Sequence, residues 1–336
     1  MNKNLNQRKF GVLGTGAFGS ALANVLSKNN HSVLMYGINE TEISDINNGL
    51  NTKYFGQVPF VNAFNLKATN NLKTFLDNVD IVILAVPSVV VESLLNQVCD
   101  ILKDRQIDLI NLSKGLEPKT KMFFSQYITL NYSKNIRNFA SIMGPSFAKE
   151  VFSQNLTMVN IVGKNIDFNS EISGFFNNDT FIVKPYNDIL GAELFSALKN
   201  VLAIGTGICS ELYPGENSHA GLLTTGISEI FNIYKSMYPD GENTIGYHFS
   251  SVGDIFLTCS SKSSRNFSLG VNIAKFGIDK ALEMQSLTVE GYDTAKTLVK
   301  LLDEYNIQNA PLMRNITEIL FNNKDPKKII DMIQNN

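Results

Sequence analysis

A glycine-rich turn near the start of the chain restricts the fold more than any other stretch. The segment "FGVLGTGAFGSALANVL" places Gly14, Gly16 and Gly19 in G-x-G-x-x-G spacing, after an apolar strand pattern and at the start of a helical pattern near Ala17. In such a strand–turn–helix unit the glycines permit a tight turn, a close approach of the backbone to a pyrophosphate, and close packing of helix on strand. The pyrophosphate would lie on free N–H groups at the helix N-terminus. This context predicts a dinucleotide-binding unit, although glycines alone also suit an ordinary tight turn.

Short apolar runs alternate with helical patterns through the first half of the chain, and the strand candidates are KFGVLG, SVLMYG, IVILAV, IDLINL, FASIMG, TMVNIVG and FIVKPY. Near-continuous apolar strands between helices are typical of a mostly parallel sheet covered on both faces. From Asp188 onward, long helical periodicities dominate. We therefore predict an α/β fold, with an N-terminal doubly wound Rossmann-type parallel sheet over residues 1–187 and an all-helical domain over residues 188–336. The polar segment 39–60 is expected to be a surface loop.

Charge and cysteine content exclude several classes of protein. The chain has 29 basic and 31 acidic residues and no long basic run, which argues against nucleic-acid partners and anionic membrane surfaces. Its three cysteines are far apart and lack metal-ligand spacing, so we expect a reducing compartment and no metal site. No apolar signal segment opens the chain, and the longest apolar run is short and broken by Pro87. We expect a cytoplasmic protein without membrane insertion.

One lysine occurs in a helical segment that is otherwise apolar or small on nearly every face. Between Ser196 and Thr206, in "ELFSALKNVLAIGTGICSEL", the exceptions are Lys199 and Asn200. A helix that is apolar all round is usually buried, and an unpaired buried ammonium tends to lose its proton. Lys199 is therefore a candidate acid–base group, and a lysine paired in the core for structural reasons is the alternative.

Two polar turns follow predicted strands. Lys114 comes after the strand in "INLSKGLEP", and Gly144, Pro145 and Ser146 form a strand-to-helix turn in "SIMGPSFAKEV". Ligands of open α/β sheets bind beyond the carboxyl ends of the strands, so both turns are candidate ligand contacts. An exposed turn lysine is the alternative for Lys114.

A third polar group lies in the predicted helical domain. In "GDIFLTCSSKSSRNFSLG", Ser264, Arg265 and Asn266 stand together after Asp254. A hydroxyl, a guanidinium and a carboxamide are donors that suit a phosphate, and arginine can bind two of its oxygens at once. A polar helix-capping loop is the alternative.

Seven motifs in sequence order make the chain similar to the NAD(P)-dependent glycerol-3-phosphate dehydrogenase family, in its bacterial form: GTGAFGSALA, LAVPS, LSKGLE, GPSFAKEV, ALKNVLAIGTGI, SVGDIFLTCSSKSSRN and VEGY. The resemblance implies an oxidoreductase that interconverts sn-glycerol 3-phosphate and dihydroxyacetone phosphate by hydride transfer. It further implies a homodimer that supplies glycerol 3-phosphate for glycerophospholipid synthesis.

The resemblance also implies roles at matching positions. Lys199 would be the catalytic proton acceptor. The substrate-contacting positions would be Lys114, Gly144, Ser146, Lys199, Asp254, Ser264, Arg265 and Asn266. In addition to Gly14, Gly16 and Gly19, the cofactor-contacting positions would be Ala17, Phe18, Lys114, Ala148, Arg265, Thr288 and Glu290.

The chain departs from the family pattern at Thr225, where an arginine is usual, and the segment before Asp254 is less glycine-rich than usual. After the second strand, in "LMYGINE", Asn39 and Glu40 stand in a turn without a basic residue or histidine. An acidic residue there disfavours a 2′-phosphate and a basic one favours it. We expect both NAD and NADP to be used, with NAD favoured.

Two alternative functions, one enzymatic and one not, are weighed against this resemblance. One is another dehydrogenase of the same architecture, of the 3-hydroxyacid or sugar-acid type, and the group Ser264–Arg265–Asn266 argues against it. The other is a non-catalytic nucleotide-binding protein, and the presence of both Lys114 and Lys199 argues against that.

Overall fold

The computed structural model describes residues 8–262, 264–285 and 289–331. The chain divides into two compact units between Ile189 and Leu190.

An eight-stranded sheet forms the centre of the first unit. Its strands are β1 (Phe10–Leu13), β2 (Val33–Tyr36), β3 (Leu66–Thr69), β4 (Ile81–Leu84), β5 (Ile107–Asn111), β6 (Ile136–Met143), β7 (Thr157–Val162) and β8 (Phe181–Tyr186). Their order is β3-β2-β1-β4-β5-β6-β7-β8, and all neighbours are parallel except the antiparallel pair β6–β7. The order 3-2-1-4-5-6 is that of a Rossmann-type sheet, which confirms the predicted fold class.

Helices cover both faces of this sheet: α1 (Ala17–Lys28), α2 (Glu40–Asn47), α3 (Thr52–Phe55), α4 (Leu72–Asp77), α5 (Val91–Leu102), α6 (Phe124–Tyr132), α7 (Ala148–Phe152) and α8 (Ile166–Phe176). Successive strand side chains point to opposite faces, so Val12 and Leu13 lie in two different apolar cores. The core containing Val12 is completed by α1, α7 and α8, and the core containing Leu13 by α4, α5 and α6.

The prediction of a surface loop over residues 39–60 is wrong, because α2 and α3 lie there. The side chain of Asn39 accepts hydrogen bonds from the N–H groups of Thr41 (3.0 Å) and Glu42 (3.1 Å), which caps α2. Ile43 and Ile46, three residues apart, form a buried face of the helix. The cap and the buried face explain why so polar a segment is helical.

The second unit is helical: its described residues contain α9 (Ile189–Leu212), α10 (Glu216–Met237), α11 (Asp254–Ser260), α12 (Arg265–Phe276), α13 (Ile278–Glu283), α14 (Glu290–Glu304) and α15 (Pro311–Phe321), and no strand. A π-helical turn, Phe249–Gly253, leads into α11. The prediction of a helical C-terminal part is confirmed.

Helix α9 is the core helix of this unit. By length and composition it meets the criteria for a membrane span, but 94% of its most apolar window is buried inside the molecule. It packs closely against α12: a Cβ on Gly207 would lie 2.1 Å from the carbonyl oxygen of Phe267, and one on Gly270 would lie 2.0 Å from that of Ile204. No side chain fits between the two backbones at these points.

Candidate active site

The glycine turn after β1 is tightly built. Gly14 has a φ of +119°, and a Cβ there would lie 2.4 Å from the carbonyl oxygen of Ala85. A Cβ on Gly19 would lie 2.8 Å from the Cβ of Ala85. The first glycine thus permits the turn, and the third permits α1 to pack against the segment after β4.

Gly16, the N-cap of α1, faces open space, because a Cβ added there would meet nothing within 4 Å. The first helical hydrogen bond runs from the N–H of Ser20 to the carbonyl oxygen of Gly16 (3.0 Å), so the N–H groups of residues 17–19 lack an intrahelical acceptor. No side chain caps this end, and no acidic residue lies in the first turn. The space and the free donors fit the pyrophosphate of a dinucleotide.

The turns after β1, β4, β5 and β6 lie at one edge of the sheet, because these four strands are parallel neighbours. Lys114 lies in the turn after β5, and the hydroxyl of Ser113 donates to the carbonyl oxygen of Val86 (2.9 Å), which joins this turn to the one after β4. After β6, Gly144 has a φ of +144° and its carbonyl oxygen accepts from the hydroxyl of Ser146 (3.0 Å). The structure brings these predicted residues to the same edge as the glycine turn.

Phe18 and Ala148 also belong to this edge, at the starts of α1 and α7, and both pack against the apolar core that contains Val12. A large ring at position 18 is therefore half-buried against the sheet.

In the second unit, Lys199 is buried, as the apolar pattern of its helix predicts. Its Nζ donates to Oδ2 of Asp254 at 2.5 Å, and each side chain is only 3% exposed. The partner comes from the first residue of α11, directly after the π-helical turn. Such turns occur often at functional sites. The ammonium is buried but ion-paired. This arrangement is compatible with Lys199 as an acid–base group and with Lys199 as a core lysine paired for structural reasons.

A carboxamide network adjoins this pair. Nδ2 of Asn266 donates to Oδ1 of Asn200 (3.0 Å), and Nδ2 of Asn200 donates to Oε2 of Glu290 (3.4 Å). The N–H of Gly291 donates to Oδ1 of Asn266 (2.9 Å). Asn200 therefore joins two predicted site residues, Asn266 on α12 and Glu290 on α14. Sequence reasoning did not include Asn200, although it was the second polar exception in the apolar helix.

The start of α12 carries the predicted phosphate-binding group. Ser264 is its N-cap and accepts from the N–H of Phe267 (3.4 Å), so the capping alternative holds for this hydroxyl. Arg265 and Asn266 occupy the first turn. Thr288, a predicted cofactor contact, lies outside the described residues.

Thr225 and the two polar residues of the turn after β2 make hydrogen bonds within the unit to which each belongs. The hydroxyl of Thr225 donates to the carbonyl oxygen of Gly221 (3.0 Å), one turn earlier in α10, which is a bond local to the helix. Oδ1 of Asn39 caps α2, and Oε1 of Glu40 accepts from Nδ2 of Asn70 (2.5 Å).

A Rossmann-type sheet with a glycine turn, together with a helical unit holding a buried lysine–aspartate pair, defines a nicotinamide-dependent dehydrogenase. The sequence model for the N-terminus of NAD-dependent glycerol-3-phosphate dehydrogenase matches residues 9–169, and that for its C-terminus matches residues 188–331. The chain belongs to the NAD(P)-dependent glycerol-3-phosphate dehydrogenase family, whose members are oxidoreductases that act on CH–OH groups.

Relatives and solved structures agree with this placement. A glycerol-3-phosphate dehydrogenase (NAD(P)+) of Malacoplasma penetrans is 39% identical, covering 94% of this chain and 93% of the relative. One of Mesoplasma florum is 36% identical, covering 98% of each. The crystal structure of glycerol-3-phosphate dehydrogenase from Coxiella burnetii has a TM-score of 0.83 at 26% identity, covering 98% and 99% of the two chains. The Plasmodium falciparum enzyme has a TM-score of 0.86 at 25% identity, covering 98% and 96%.

Proposed function

We propose that this chain interconverts sn-glycerol 3-phosphate and dihydroxyacetone phosphate, with residues 1–187 binding the dinucleotide and residues 188–336 supplying the acid–base group. The observation that carries the proposal is the buried Lys199–Asp254 pair beside the Asn200–Asn266 network. A lysine within a core helix, held by a carboxylate and next to polar donors, suits proton exchange with a substrate oxygen.

Lys199 exchanges the proton at the C2 oxygen. In the reducing direction Nζ gives a proton to this oxygen as the carbonyl becomes an alcohol, and in the oxidising direction it takes the proton back. Asp254 accepts the hydrogen bond of Nζ (2.5 Å), which orients the lysine and stabilises its charged form. When bound, the nicotinamide supplies or accepts the hydride.

The first turn of α12 holds the phosphate. Arg265 can bind two phosphate oxygens at once, and Ser264 stands beside it. One N–H of the Asn266 carboxamide donates to Asn200, and the other, which has no acceptor among the described residues, donates to a substrate oxygen. Because Gly291 donates to Oδ1 of Asn266, the orientation of this carboxamide is fixed.

The edge of the sheet supplies the remaining contacts. Gly14, Gly16 and the N–H groups of residues 17–19 hold the pyrophosphate, and Phe18 and Ala148 border it. Lys114 lies near both ligands, and Gly144 and Ser146 contact the substrate. In the second unit, Arg265 and Glu290 contact the dinucleotide.

In the cell, we place the enzyme in the cytoplasm as a homodimer that supplies glycerol 3-phosphate for glycerophospholipid synthesis. The basis for this placement is the family resemblance.

Oxidation of NADH by the purified chain with dihydroxyacetone phosphate tests the proposal. We expect turnover with this ketone, little with unphosphorylated dihydroxyacetone, and none with 3-oxoacids or oxidised sugar acids. A preference for either acid class would favour the alternative dehydrogenases, and no turnover with any substrate would favour a non-catalytic nucleotide-binding protein.

The same assay with NADPH tests the cofactor proposal. Neither Asn39 nor Glu40 brings a positive charge to the turn after β2, so we expect both cofactors to work, with NADH at least as good. A tenfold or greater preference for NADPH in kcat/KM, about 1.4 kcal/mol, would contradict this.

A further inference from the structure

A cluster of polar side chains behind the glycine turn has no part in the steps above. It centres on Thr15, between the first two glycines, which is only 6% exposed. The carbonyl oxygen of Thr15 accepts from Nδ2 of Asn51 at 3.0 Å, and the same Nδ2 donates to Oγ of Ser20 at 2.9 Å. Asn51 therefore links the turn to the first helical turn of α1 from a segment 31 to 36 residues away.

Asn51 makes these two long-range hydrogen bonds instead of capping the helix that follows it. It is the N-cap of α3, a position where asparagine usually caps the helix with its own oxygen, but its side chain makes no capping bond. Oδ2 of Asp45 instead accepts from the N–H of Thr52 (3.1 Å). Oδ1 of Asn51 is buried without a hydrogen-bond partner among the described residues, which is unfavourable for folding. A carboxamide buried at such a cost points to a role for its Nδ2 at the glycine turn.

Thr15 is also held at two other atoms. Its hydroxyl donates to Oε2 of Glu42, which is almost fully buried on α2, and Oε1 of Glu42 accepts from Nζ of Lys53 at 2.6 Å. The positive charge of the Lys53 ammonium balances the carboxylate of Glu42. The hydrogen bond to Glu42 raises the pKa of Lys53. A Cβ on Gly37, at the end of β2, would lie 2.5 Å from Cγ2 of Thr15, so the methyl group is pressed against the strand end.

We propose that Asn51 and Glu42 are positioning residues for the dinucleotide. They fix the carbonyl and hydroxyl of Thr15, and through it the path from Gly14 to Gly16, so that the N–H groups at the start of α1 are arranged before the pyrophosphate binds. Preorganised donors bind more tightly because no ordering cost remains. The inference rests on the proposed dinucleotide site. Since the pyrophosphate is common to NAD and NADP, both nucleotides depend on this arrangement to the same extent.

The variant Asn51→Asp tests the proposal, since it keeps the shape of the side chain but lacks the two N–H donors; the negative charge that it adds is controlled by the uncharged Thr15 variants below. Its matched control is Asn47→Asp on α2: Nδ2 of Asn47 donates to the carbonyl oxygen of Ala68 (3.1 Å), and Oδ1 accepts from the N–H of Ala68 (2.9 Å), away from the glycine turn. We expect Asn51→Asp to raise the Kd of NADH and of NADPH about tenfold or more by calorimetry, by the same factor. Asn47→Asp should leave both Kd values within twofold of wild type, and the KM for dihydroxyacetone phosphate should not change in either variant.

Thr15→Val and Thr15→Ser provide a second test if Asn51→Asp fails to fold. Valine keeps the shape but removes the hydroxyl that donates to Glu42, whereas serine keeps the hydroxyl, so valine should weaken nucleotide binding more than serine. If the Asn51→Asp variant folds and binds both nucleotides within twofold of wild type, the positioning role is overturned but the proposed function is not. Equal nucleotide binding by the two Thr15 variants has the same consequence. A wild-type chain that binds neither nucleotide would overturn the proposed function and this inference with it.

Discussion

At the scale of single residues, Lys199 and Asp254 each make the burial of the other tolerable. Both side chains are almost completely withdrawn from water, and the 2.5 Å hydrogen bond joins opposite charges. Removing one partner of such a pair leaves an uncompensated buried charge, at a cost of about 3–5 kcal/mol. Stability and the proposed proton exchange thus involve the same two atoms, Nζ of Lys199 and Oδ2 of Asp254, and experiments must separate the two effects.

Lys199→Met should lower kcat by at least about 10²–10⁴-fold, because it removes the proposed acid–base group while keeping the length and apolar stem of the side chain. Binding of NADH, measured by calorimetry, should persist. Near-normal kcat would show that the lysine is structural.

The control for lost stability is the double variant Lys199→Met with Asp254→Asn. It removes both charges, so it should recover much of the Tm lost by Lys199→Met alone. It should not recover activity. If activity returned with stability, the loss in the single variant would be due to folding.

Arg265→Lys should raise the KM for dihydroxyacetone phosphate at least about tenfold, because lysine cannot reproduce a bidentate bond to phosphate. The variant should also discriminate little between dihydroxyacetone phosphate and dihydroxyacetone. Lys275→Ala, near the other end of α12, removes an ion pair to Glu211 (3.2 Å) and should leave this KM unchanged. A variant at Arg265 that still strongly prefers the phosphorylated ketone would place the phosphate elsewhere.

At the scale of elements, the close packing of α9 on α12 determines where the first turn of α12 lies. Gly207→Ala would bring a methyl group to 2.1 Å from the carbonyl oxygen of Phe267, so the backbone of α12 must shift. We expect a loss of about 1–3 kcal/mol of stability and a larger rise in KM for the ketone phosphate than for the nucleotide. Chemical denaturation and steady-state kinetics measure the two effects.

Gly221→Ala on α10 is the matched control, because a Cβ there meets nothing within 4 Å. It should be neutral or stabilise the protein by about 0.4–1 kcal/mol, since alanine restricts the unfolded chain. Equal losses in the two variants would show that the contact between α9 and α12 is not responsible.

The sequence was sufficient to predict seven of the eight strands. Central strands such as β1 and β4 are buried on both faces and read as continuous apolar runs, and β8, although it is the last strand of the sheet order, begins with the apolar residues 181–183. The sequence missed β3, the strand at one end of the sheet order, where Leu66 is buried but Lys67 is exposed. It also missed α2, whose stability comes from the Asn39 cap and two buried isoleucines rather than from its mostly polar composition.

For the candidate site, local patterns located the glycine turn and a buried lysine. They did not reveal that Asn200 joins Asn266 and Glu290, which lie 66 and 90 residues further along the chain. Hydrogen bonds over such separations depend on how α9, α12 and α14 pack, and no short-range periodicity encodes that packing. The polar character of Asn200 in an apolar helix was the only local signal.

At the scale of the whole molecule, Glu229 contributes to the pH dependence of stability. This buried residue of α10 accepts from the N–H groups of Leu312 and Met313 (2.8 Å each), at the start of α15. Burial raises the pKa of Glu229 to about 7, although the two N–H donors oppose this shift. The folded chain therefore holds this proton more tightly than the unfolded chain does.

The stability that this proton contributes is present below the unfolded pKa of 4.5 and is lost as the pH rises through about 7. The shift corresponds to at most about 3 kcal/mol. In Glu229→Gln, which does not titrate, the free energy of unfolding should fall less between pH 5 and pH 8 than in wild type. Urea denaturation at the two pH values measures this, and identical changes in the two proteins would contradict it.

The three thiols have a practical consequence. Cys209 and Cys259 are buried in the second unit, Cys99 is half-buried in the first, and burial raises the pKa of each, that of Cys259 to about 12. Alkylating reagents attack thiolates, so at neutral pH the buried Cys209 and Cys259 react slowly until their surroundings open, whereas the half-buried Cys99 is already partly accessible. Mass spectrometry of partly alkylated protein would therefore time the opening of the second unit, with Cys99 in the first unit as an internal reference and without any added probe.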